Sequence, residues 1–488
     1  MDVVVSIKQG RLRGRATGGV ASFKGIPYAP APVGPALYEA PGAPPAWEGV
    51  REAVAYGPTV PHPAYQPPFE ELLTDPAIEG GECLNLNVWT PDPGATGLPV
   101  LVWIHGGAFR NGSSAVPAYD GHAFARDGVV MVSLNYRLGV PGFAALPDAP
   151  ANLGLRDQLA ALEWVRDNIA AFGGDADRVT IAGESAGAMS VTTLLSLPQG
   201  AGLFRRAVTM SGAGQGVVTL EDARLVAAET AKLLGVEPTA AGFGQVAAER
   251  LMEAQAQIGA DVSFQRDRAR FGSSVVAAGM AYPPVVDGEF LQRPPLEAIA
   301  AGAGSEVALL TGTTAEEYRL FVVPTGLAPF VDEPLLHGMV GAERAAHYAA
   351  NRPGASPGDL LCAAITDSYF RVPAIRVAEA RAGGPAATYM YEFAWGTETS
   401  GLGACHAVEL AFMFDTLDVP GRGPLVGDNP PRDLARRMHA AWVAFATDGD
   451  PGWVPYEVGT RPVMVFDEPA RGVVHDPRGD ERALWDGR

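Results

Sequence analysis

The stretch RVTIAGESAGAMSVTTLLSLP, residues 178–198, predicts how the chain folds. Its first five residues are rich in β-branched side chains and predict a strand, and residues 186–198 are typical of a helix. The pentapeptide GESAG, with the pattern G-x-S-x-G, stands between them. A serine on such a strand-to-helix turn exposes its Oγ above the strand end, and glycines are needed because side chains beside it would collide with the strand and helix. The segment predicts a nucleophile, Ser185, although the pentapeptide alone could also be a turn of small residues.

Alternating strand and helix patterns on both sides of this segment indicate an α/β fold. The apolar runs LPVLVWIHGG (98–107) and VVMVSLNYRL (129–138) are typical of strands buried on both faces. Residues 152–175 have apolar side chains at spacings of three and four, which predicts an amphipathic helix. SEVALLTGTT (305–314) and AATYMYEFAW (386–395) are later strand candidates. Such alternation predicts a mainly parallel sheet covered by helices on both sides.

A loop of small residues follows the first of these apolar runs, in HGGAF (105–109). Small residues let the backbone turn its N–H groups toward a substrate oxygen, and the N–H after the nucleophile adds a further donor. Losing one such donor costs about 3 kcal/mol of transition-state stabilisation. The loop therefore predicts an oxyanion site, the alternative being an ordinary glycine turn. We expect His105 to pack under the loop and to take no part in the reaction.

Several segments, all in the same order, resemble the type B carboxylesterases, the branch of the α/β-hydrolases that includes the cholinesterases. They are FKGIPYA (23–29), WIHGGAF (103–109), NYRLG (135–139), FGGDADRVTIAGESAG (172–187) and WVPYEVGTRPVMVF (453–466). The resemblance implies an α/β-hydrolase fold, with a large, mostly parallel central sheet, helices on both faces and helical insertions over the active site. We expect a single domain over 1–488 with cap-like insertions at roughly 215–300 and 315–385.

The resemblance also implies a catalytic triad of Ser185, Glu317 and His406. The family's acid lies in a segment that reads GTTAEE here, in which Glu317 is the matching residue and Glu316 is the competitor. The family's histidine begins a segment that reads HAVEL. The order serine, acid, histidine is that of the α/β-hydrolase fold. A Cys–His pair formed by Cys405 and the adjacent histidine is the alternative, but adjacent side chains rarely form a productive hydrogen bond.

Further site residues follow from the same resemblance. The oxyanion N–H groups are those of Gly107, Ala108 and Ala186. The supporting positions are Gly106, Ser211 and Glu409. The tryptophan that binds choline in cholinesterases has no counterpart in the loop before Cys83, so we do not expect cholinesterase activity.

These residues predict hydrolysis of carboxylic esters with short to medium acyl chains, through an acyl-enzyme and without a metal or organic cofactor. An amidase, carbamate hydrolase or lactonase using the same triad is the alternative, and a non-catalytic adhesion or scaffold protein is a further one. Because the histidine must be neutral to act as a base, we expect activity to rise through about pH 6 to 7.5. Five side chains could line a pocket or belong to the core: Tyr318, Leu320, Phe321, Phe330 and Val331.

The composition narrows the choice of partner and compartment. The net charge of −19 makes nucleic acid an unexpected partner, because phosphate binding relies on Lys and Arg, and it favours neutral ester substrates. The three cysteines do not form a disulfide framework, and no apolar run reaches the ~18 residues of a membrane span. We therefore expect a cytoplasmic protein with no membrane partner, either a monomer or a weak oligomer.

Overall fold

A 13-stranded sheet forms the centre of the protein in the computed structural model, which describes residues 1–487. The strands of the protein are β1 (Asp2–Ile7), β2 (Gly10–Thr17), β3 (Val20–Pro27), β4 (Val50–Glu52), β5 (Asn85–Thr90), β6 (Leu98–Ile104), β7 (Val130–Leu134), β8 (Gly174–Glu184), β9 (Arg206–Met210), β10 (Val218–Thr219), β11 (Val285–Val286), β12 (Ala308–Thr314), β13 (Thr388–Phe393), β14 (Pro462–Phe466) and β15 (Gly472–His475). The order in the sheet is β1-β2-β3-β5-β7-β6-β8-β9-β12-β13-β14-β15, with β4 beside β2. Strands β10 and β11 form a separate pair.

The strands in the middle of the sheet are parallel. Every neighbouring pair from β7 through β6, β8, β9, β12 and β13 to β14 runs in the same direction, whereas β1, β2, β3 and β5 pair antiparallel at one edge and β15 at the other. The predicted α/β fold with a large, mostly parallel sheet is thereby confirmed.

The helices surround this sheet. They are α1 (His122–Arg126), α2 (Gly139–Phe143), α3 (Leu153–Asn168), α4 (Ala186–Ser196), α5 (Leu220–Leu234), α6 (Ala240–Phe243), α7 (Ala248–Gln265), α8 (Arg268–Phe271), α9 (Ser273–Ala278), α10 (Pro295–Ala300), α11 (Arg319–Val322), α12 (Glu333–Val340), α13 (Ala342–Asn351), α14 (Pro357–Ile365), α15 (Val372–Arg381), α16 (Leu410–Met413), α17 (Arg432–Asp448) and α18 (Gly479–Ala483). Among the helices within residues 1–487, none combines the length and the apolar character that crossing a bilayer demands.

Strand β6 shows how the sheet separates two apolar cores. Val100, Val102 and Ile104 belong to one buried cluster, which also takes the apolar face of α3. The alternate residues Leu101 and Trp103 belong to a second cluster, which takes the apolar face of α17. Successive side chains of a strand point to opposite faces, so a strand buried on both sides reads as the unbroken apolar run seen in the sequence.

The strand order brings the carboxyl ends of β6 and β8 together. The chain passes from β6 to β7 on one side and then returns past β6 to β8 and β9 on the other. At the end of the ladder Ile104 pairs with Gly183, so the loops that follow the two strands start side by side. Such a reversal of strand order opens a crevice at the carboxyl ends of the strands, where ligands bind in α/β folds.

Candidate active site

Ser185 lies on a strained turn between β8 and α4. Its φ of 56° and ψ of −124° fall in a region that residues with a side chain rarely adopt. The turn is held by two backbone hydrogen bonds, from the Ser185 N–H to Met210 O (2.9 Å) and from the Met189 N–H to Ser185 O (2.9 Å). Ser185 is partly exposed although the residues around it are buried. The turn therefore presents the serine side chain to the crevice.

The glycines of the pentapeptide make this turn sterically possible. A Cβ on Gly183 would lie 2.5 Å from the backbone of Gly187, and a Cβ on Gly187 would collide with the carbonyl oxygen of Ile104. The backbones of β8, α4 and β6 are thus in direct contact here. A side chain at either glycine would push the serine away from the loop after β6.

The loop after β6 lies against the serine turn and carries N–H groups that have no acceptor among residues 1–487. Gly107 has a φ of 111° and Ala108 a φ of 55°, and the turn is closed by the N–H groups of Arg110 (3.0 Å) and Asn111 (2.8 Å), which donate to Gly107 O. Within residues 1–487 the N–H groups of Gly107, Ala108 and Ala186 donate to no backbone acceptor outside their own elements. Unpaired donors of this kind are what a developing oxyanion requires.

Gly106 and His105 hold the loop after β6 in place through contacts with the serine turn and with Tyr136. A Cβ on Gly106 would lie 2.8 Å from Glu184 Oε2 and 3.1 Å from the Ser185 Cβ, so the loop rests directly on the serine turn. The His105 ring stacks on Tyr136 at 4.6 Å and bonds to Gly106 O through Nδ1 (2.8 Å). Burial lowers the pKa of His105 to about 4, which keeps this ring neutral. The expectation that His105 packs under the loop agrees with this geometry.

His406 and Glu317 form a buried hydrogen bond. Nδ1 of His406 lies 2.6 Å from Glu317 Oε2, and Glu317 Oε1 accepts the Thr314 N–H at 2.8 Å. The competitor Glu316 turns away, since its side chain is 45% exposed and accepts the Ala404 N–H at 2.9 Å. The structure therefore brings Glu317, not Glu316, to the histidine.

The other ring nitrogen of His406 faces Glu184. Nε2 lies 3.0 Å from Glu184 Oε1, and among residues 1–487 the Ser185 hydroxyl makes no hydrogen bond with it. This differs from the expected contact between the histidine and the serine. Glu184 Oε1 has no hydrogen-bond partner among residues 1–487, so this contact is a charge pair without hydrogen-bond geometry, and it occupies the side of the ring that would face the serine.

The charges around His406 favour its protonated form. Burial by itself lowers the pKa of His406, but the negative charges of Glu184 and Glu317 outweigh it and raise that pKa well above its ordinary value. Glu409, three residues along the chain, is fully buried and accepts the Ser211 hydroxyl at 3.3 Å. Burial, and then the charges of Glu317 and Glu184, raise the pKa of Glu409 well above its ordinary value. These surroundings favour the protonated form of the Glu409 carboxyl.

The sequence matches the carboxylesterase family over residues 1–332 and 340–475. The chain belongs to the carboxylesterase family. It is an enzyme that hydrolyses carboxylic esters, as the resemblance implied. The family's fold, a central sheet with the site at the carboxyl ends of its strands, is the one described above.

Three similar proteins agree with this assignment. Para-nitrobenzyl esterase of Bacillus subtilis is 36% identical, with 98% of this chain and 97% of that protein covered. Phenmedipham hydrolase of Pseudarthrobacter oxydans is 34% identical, with 96% and 94% covered. The crystal structure of a Geobacillus stearothermophilus carboxylesterase is 40% identical and superposes with a TM-score of 0.86 over 99% of this chain and 100% of that one.

Cys405 has no part in the hydrogen bonds of this carboxylesterase site. All three cysteines, Cys83, Cys362 and Cys405, are buried and free. Burial, and then the charges of Glu409 and Glu317, raise the pKa of the Cys405 thiol above its usual range. A thiol that stays protonated is a poor nucleophile, which disfavours the Cys–His alternative.

Two aromatic rings, both from the segment 315–385, flank His406. The ring centroids of Phe321 and Phe370 lie 5.2 Å and 5.0 Å from that of the imidazole. Of the other candidate pocket residues, Leu320 is buried in the second core and Phe330 is 79% exposed. Phe370 was missed from the sequence. It belongs to a π-helical turn, Thr366–Arg371, between α14 and α15, and a turn of this type leaves no clear periodicity to detect.

Glu184 is the second residue that sequence reasoning missed. It occupies the variable position before the serine in G-x-S-x-G, where the motif makes no demand on residue type. The available signal was its acidity, because a carboxylate at the buried end of an apolar strand costs free energy unless it has a partner. The partner, His406, follows 222 residues later and meets it only in the fold.

Proposed function

We propose that this carboxylesterase cleaves esters with short to medium acyl chains through a covalent acyl intermediate on Ser185. The observation that carries the proposal is the strained, partly exposed serine beside the three unpaired N–H groups of Gly107, Ala108 and Ala186. A tetrahedral intermediate at the serine Oγ carries its negative charge on the former carbonyl oxygen. Backbone N–H groups already directed at that position stabilise this charge without reorganisation.

His406 acts as the proton carrier in this mechanism. Above the pKa of His406, Nε2 has lost its proton to solvent and the ring is neutral, with its remaining proton on Nδ1. Nε2 then turns from Glu184, accepts the hydroxyl proton of Ser185 as the serine attacks, and donates this proton to the departing alcohol. Glu317 holds Nδ1–H at 2.6 Å throughout and so keeps the ring in one tautomer and stabilises its positive form. Hydrogen bonds of a catalytic base are often formed only once substrate is bound, which is consistent with the contact to Glu184.

The second half of the reaction repeats these steps with water. Neutral His406 takes a proton from a water molecule, which attacks the acyl-serine carbonyl, and the same N–H groups stabilise the second oxyanion. Collapse of this intermediate returns the proton to Ser185 and releases the carboxylic acid. Phe321 and Phe370, which contact the imidazole, support an apolar substrate group on this side of the site.

Labelling by a fluorophosphonate probe tests the nucleophile. Ser185→Ala should abolish both labelling and hydrolysis of p-nitrophenyl esters. The matched control is Ser6→Ala, on the exposed side of the edge strand β1, which should label and turn over like the parent. Labelling that persists in Ser185→Ala would show that Ser185 is not the nucleophile. A series of p-nitrophenyl esters of increasing acyl length then measures the acyl preference.

We infer in addition that the chain is a single domain that works in the cytoplasm as a monomer or weak oligomer. Its segments 215–300 and 315–385 consist mainly of the helices α5–α10 and α11–α15, in keeping with a cap over the site. Three free, buried cysteines suit a reducing compartment. Light scattering across a concentration series tests the oligomeric state, and a single cooperative unfolding transition tests the single domain.

A further inference from the structure

Arg110 is a half-buried cation that lacks an anionic partner. It lies two residues beyond Ala108, at the end of the oxyanion loop. Its Nε donates to Asn111 Oδ1 at 3.0 Å. Within residues 1–487, no carboxylate lies within 4.0 Å of the guanidinium and neither terminal nitrogen donates to a protein acceptor. The four N–H groups on these nitrogens are therefore unused.

In the buried arginines Arg137 and Arg381, all three guanidinium nitrogens donate hydrogen bonds. Arg137 has both oxygens of Asp157 and two backbone carbonyls as acceptors. Arg381, which has no carboxylate partner, donates instead to the Thr388 hydroxyl and to the carbonyl oxygens of Gly304 and Val307. A guanidinium withdrawn from water loses free energy unless its N–H groups find such acceptors. The unused donors of Arg110 thus require a different explanation.

The surroundings of Arg110 make room for its guanidinium. Gly259 lies in the middle of the 18-residue helix α7, and a Cβ there would collide with Arg110 Nη1. Glycine inside a helix is about 1 kcal/mol less favourable than alanine. Gly259 therefore lowers the stability of α7 but leaves space for the guanidinium of Arg110. Asn111, which accepts from Nε, is itself tied to Pro63 O. The guanidinium is therefore seated between α7 and the loop that contains Pro63.

The terminal nitrogens of Arg110 are not completely buried. Neither belongs to the side-chain atoms that are buried without a partner, although neither has a partner in the protein. The backbone N–H of Arg110 donates to Gly107 O at 3.0 Å, so the arginine begins within the turn that carries the oxyanion N–H groups. Its guanidinium is thus within the length of one side chain of the place where a bound ester would lie.

We propose that Arg110 binds a carboxylate of the substrate, so that the preferred esters carry a carboxylate a few bonds from the scissile carbonyl. The proposal rests on the ester hydrolysis described above and departs from the expectation of a neutral substrate. Two parallel N–H donors match the two oxygens of a carboxylate, and the ion pair would replace water on a cation that is already partly desolvated. The carboxylate can belong to the acyl part or to the alcohol part of the ester.

Two pairs of matched esters test this and distinguish the two sources. On the acyl side, the p-nitrophenyl half-ester of glutaric acid is compared with p-nitrophenyl pentanoate. On the alcohol side, p-acetoxybenzoate is compared with p-acetoxybenzamide. The ratio of kcat/KM for the charged ester to that for the neutral ester is measured for the parent, Arg110→Gln and the control Arg250→Gln, which removes an exposed arginine from α7.

In Arg110→Gln we expect the ratio to fall about 10- to 100-fold in one of the two pairs, the range for a hydrogen-bonded contact between charged groups. The pair that responds identifies the part of the ester that carries the carboxylate. Turnover of the neutral esters should persist, and Arg250→Gln should leave both ratios unchanged. Gly259→Ala, which crowds Nη1 but favours the helix, should lower the same ratio to a smaller extent.

Unchanged ratios in both pairs for Arg110→Gln overturn the proposal. So does an equal loss on charged and neutral esters, because that result indicates that Arg110 only supports the oxyanion loop. Failure of the proposed function has a different signature, since the neutral esters would then not be hydrolysed by the parent at all.

Discussion

Two groups of buried charges lie near the carboxyl ends of central strands, and they differ in how completely the charges are matched. The first is Arg137, after β7, with Asp157 on α3. Their side chains are 1% and 0% exposed, and the carboxylate receives Nε and Nη2 at 2.8 Å and 2.6 Å. The remaining Nη1 donates to the carbonyl oxygens of Leu37 (2.9 Å) and Glu39 (2.7 Å). Every charge in this group has its counterpart.

The second group surrounds His406 and carries an excess of carboxyl groups. One imidazole meets Glu184 and Glu317, with Glu409 close behind, and all four side chains are buried. Oε2 of Glu409 has no hydrogen-bond partner among residues 1–487. A matched pair holds the structure together and has no proton to exchange, whereas an unmatched group shifts pKa values and can move a proton. Incomplete pairing of buried charged groups therefore marks the reactive region of this protein.

The largest expected effect is on the reactive group. Glu317→Gln should lower kcat about 10⁴-fold, because an amide can neither fix the imidazole tautomer nor stabilise its positive form. Hydrolysis of p-nitrophenyl acetate measures this, with Glu316→Gln as the control one residue away. A comparable loss in Glu316→Gln would mean that the wrong carboxylate has been placed in the triad.

The next largest effect is expected when the ion pair of Arg137 and Asp157 is broken. Asp157→Ala should reduce the free energy of unfolding by about 3–5 kcal/mol, because it leaves the Arg137 charge buried and unpaired. Urea denaturation measures this, and kcat per folded molecule should stay near that of the parent. The double variant Arg137→Met with Asp157→Leu should recover much of the stability, since it leaves no buried charge. An unchanged midpoint for Asp157→Ala contradicts the structural role of the pair.

A smaller effect is a shift of the pH profile. The base must be neutral, and Glu184 and Glu317 raise the pKa of His406, so the rising limb of kcat/KM should lie above the ordinary histidine value of about 6.5. Glu184→Gln removes one of the charges that raise this pKa, and the limb should therefore move to lower pH. Glu163→Gln, exposed on α3, is the control. A limb that stays in place in Glu184→Gln refutes the electrostatic account.

The smallest effect is expected from Glu409→Gln. Because burial and the neighbouring carboxylates keep a proton on Glu409, the amide replaces one neutral group by another of similar shape. The change in kcat/KM should stay below about fivefold, the equivalent of ~1 kcal/mol for one hydrogen bond. The rising limb should not move. A shift like that of Glu184→Gln would show that Glu409 is ionised.

Much of this protein was determined by the sequence alone, because the relevant signals are local. Apolar runs without alternation predicted β6 and β7, helical spacing predicted α3, and G-x-S-x-G between a strand and a helix predicted the turn at Ser185. Short segments that resemble the type B carboxylesterases, GTTAEE and HAVEL, gave the triad its acid and histidine candidates. Each of these signals lies within about twenty residues, a length over which backbone preference and side-chain periodicity act directly.

Tertiary structure alone decided which of these groups meet. Only the fold brings Glu184 to His406, turns Glu316 away, and pairs the two-residue strands β10 and β11, which are too short to leave a pattern. Only the fold leaves the guanidinium of Arg110 without an anion. Such contacts join residues far apart in the chain, and their energies depend on burial and on the exact partner within a few ångströms. Neither quantity exists until the sheet has assembled.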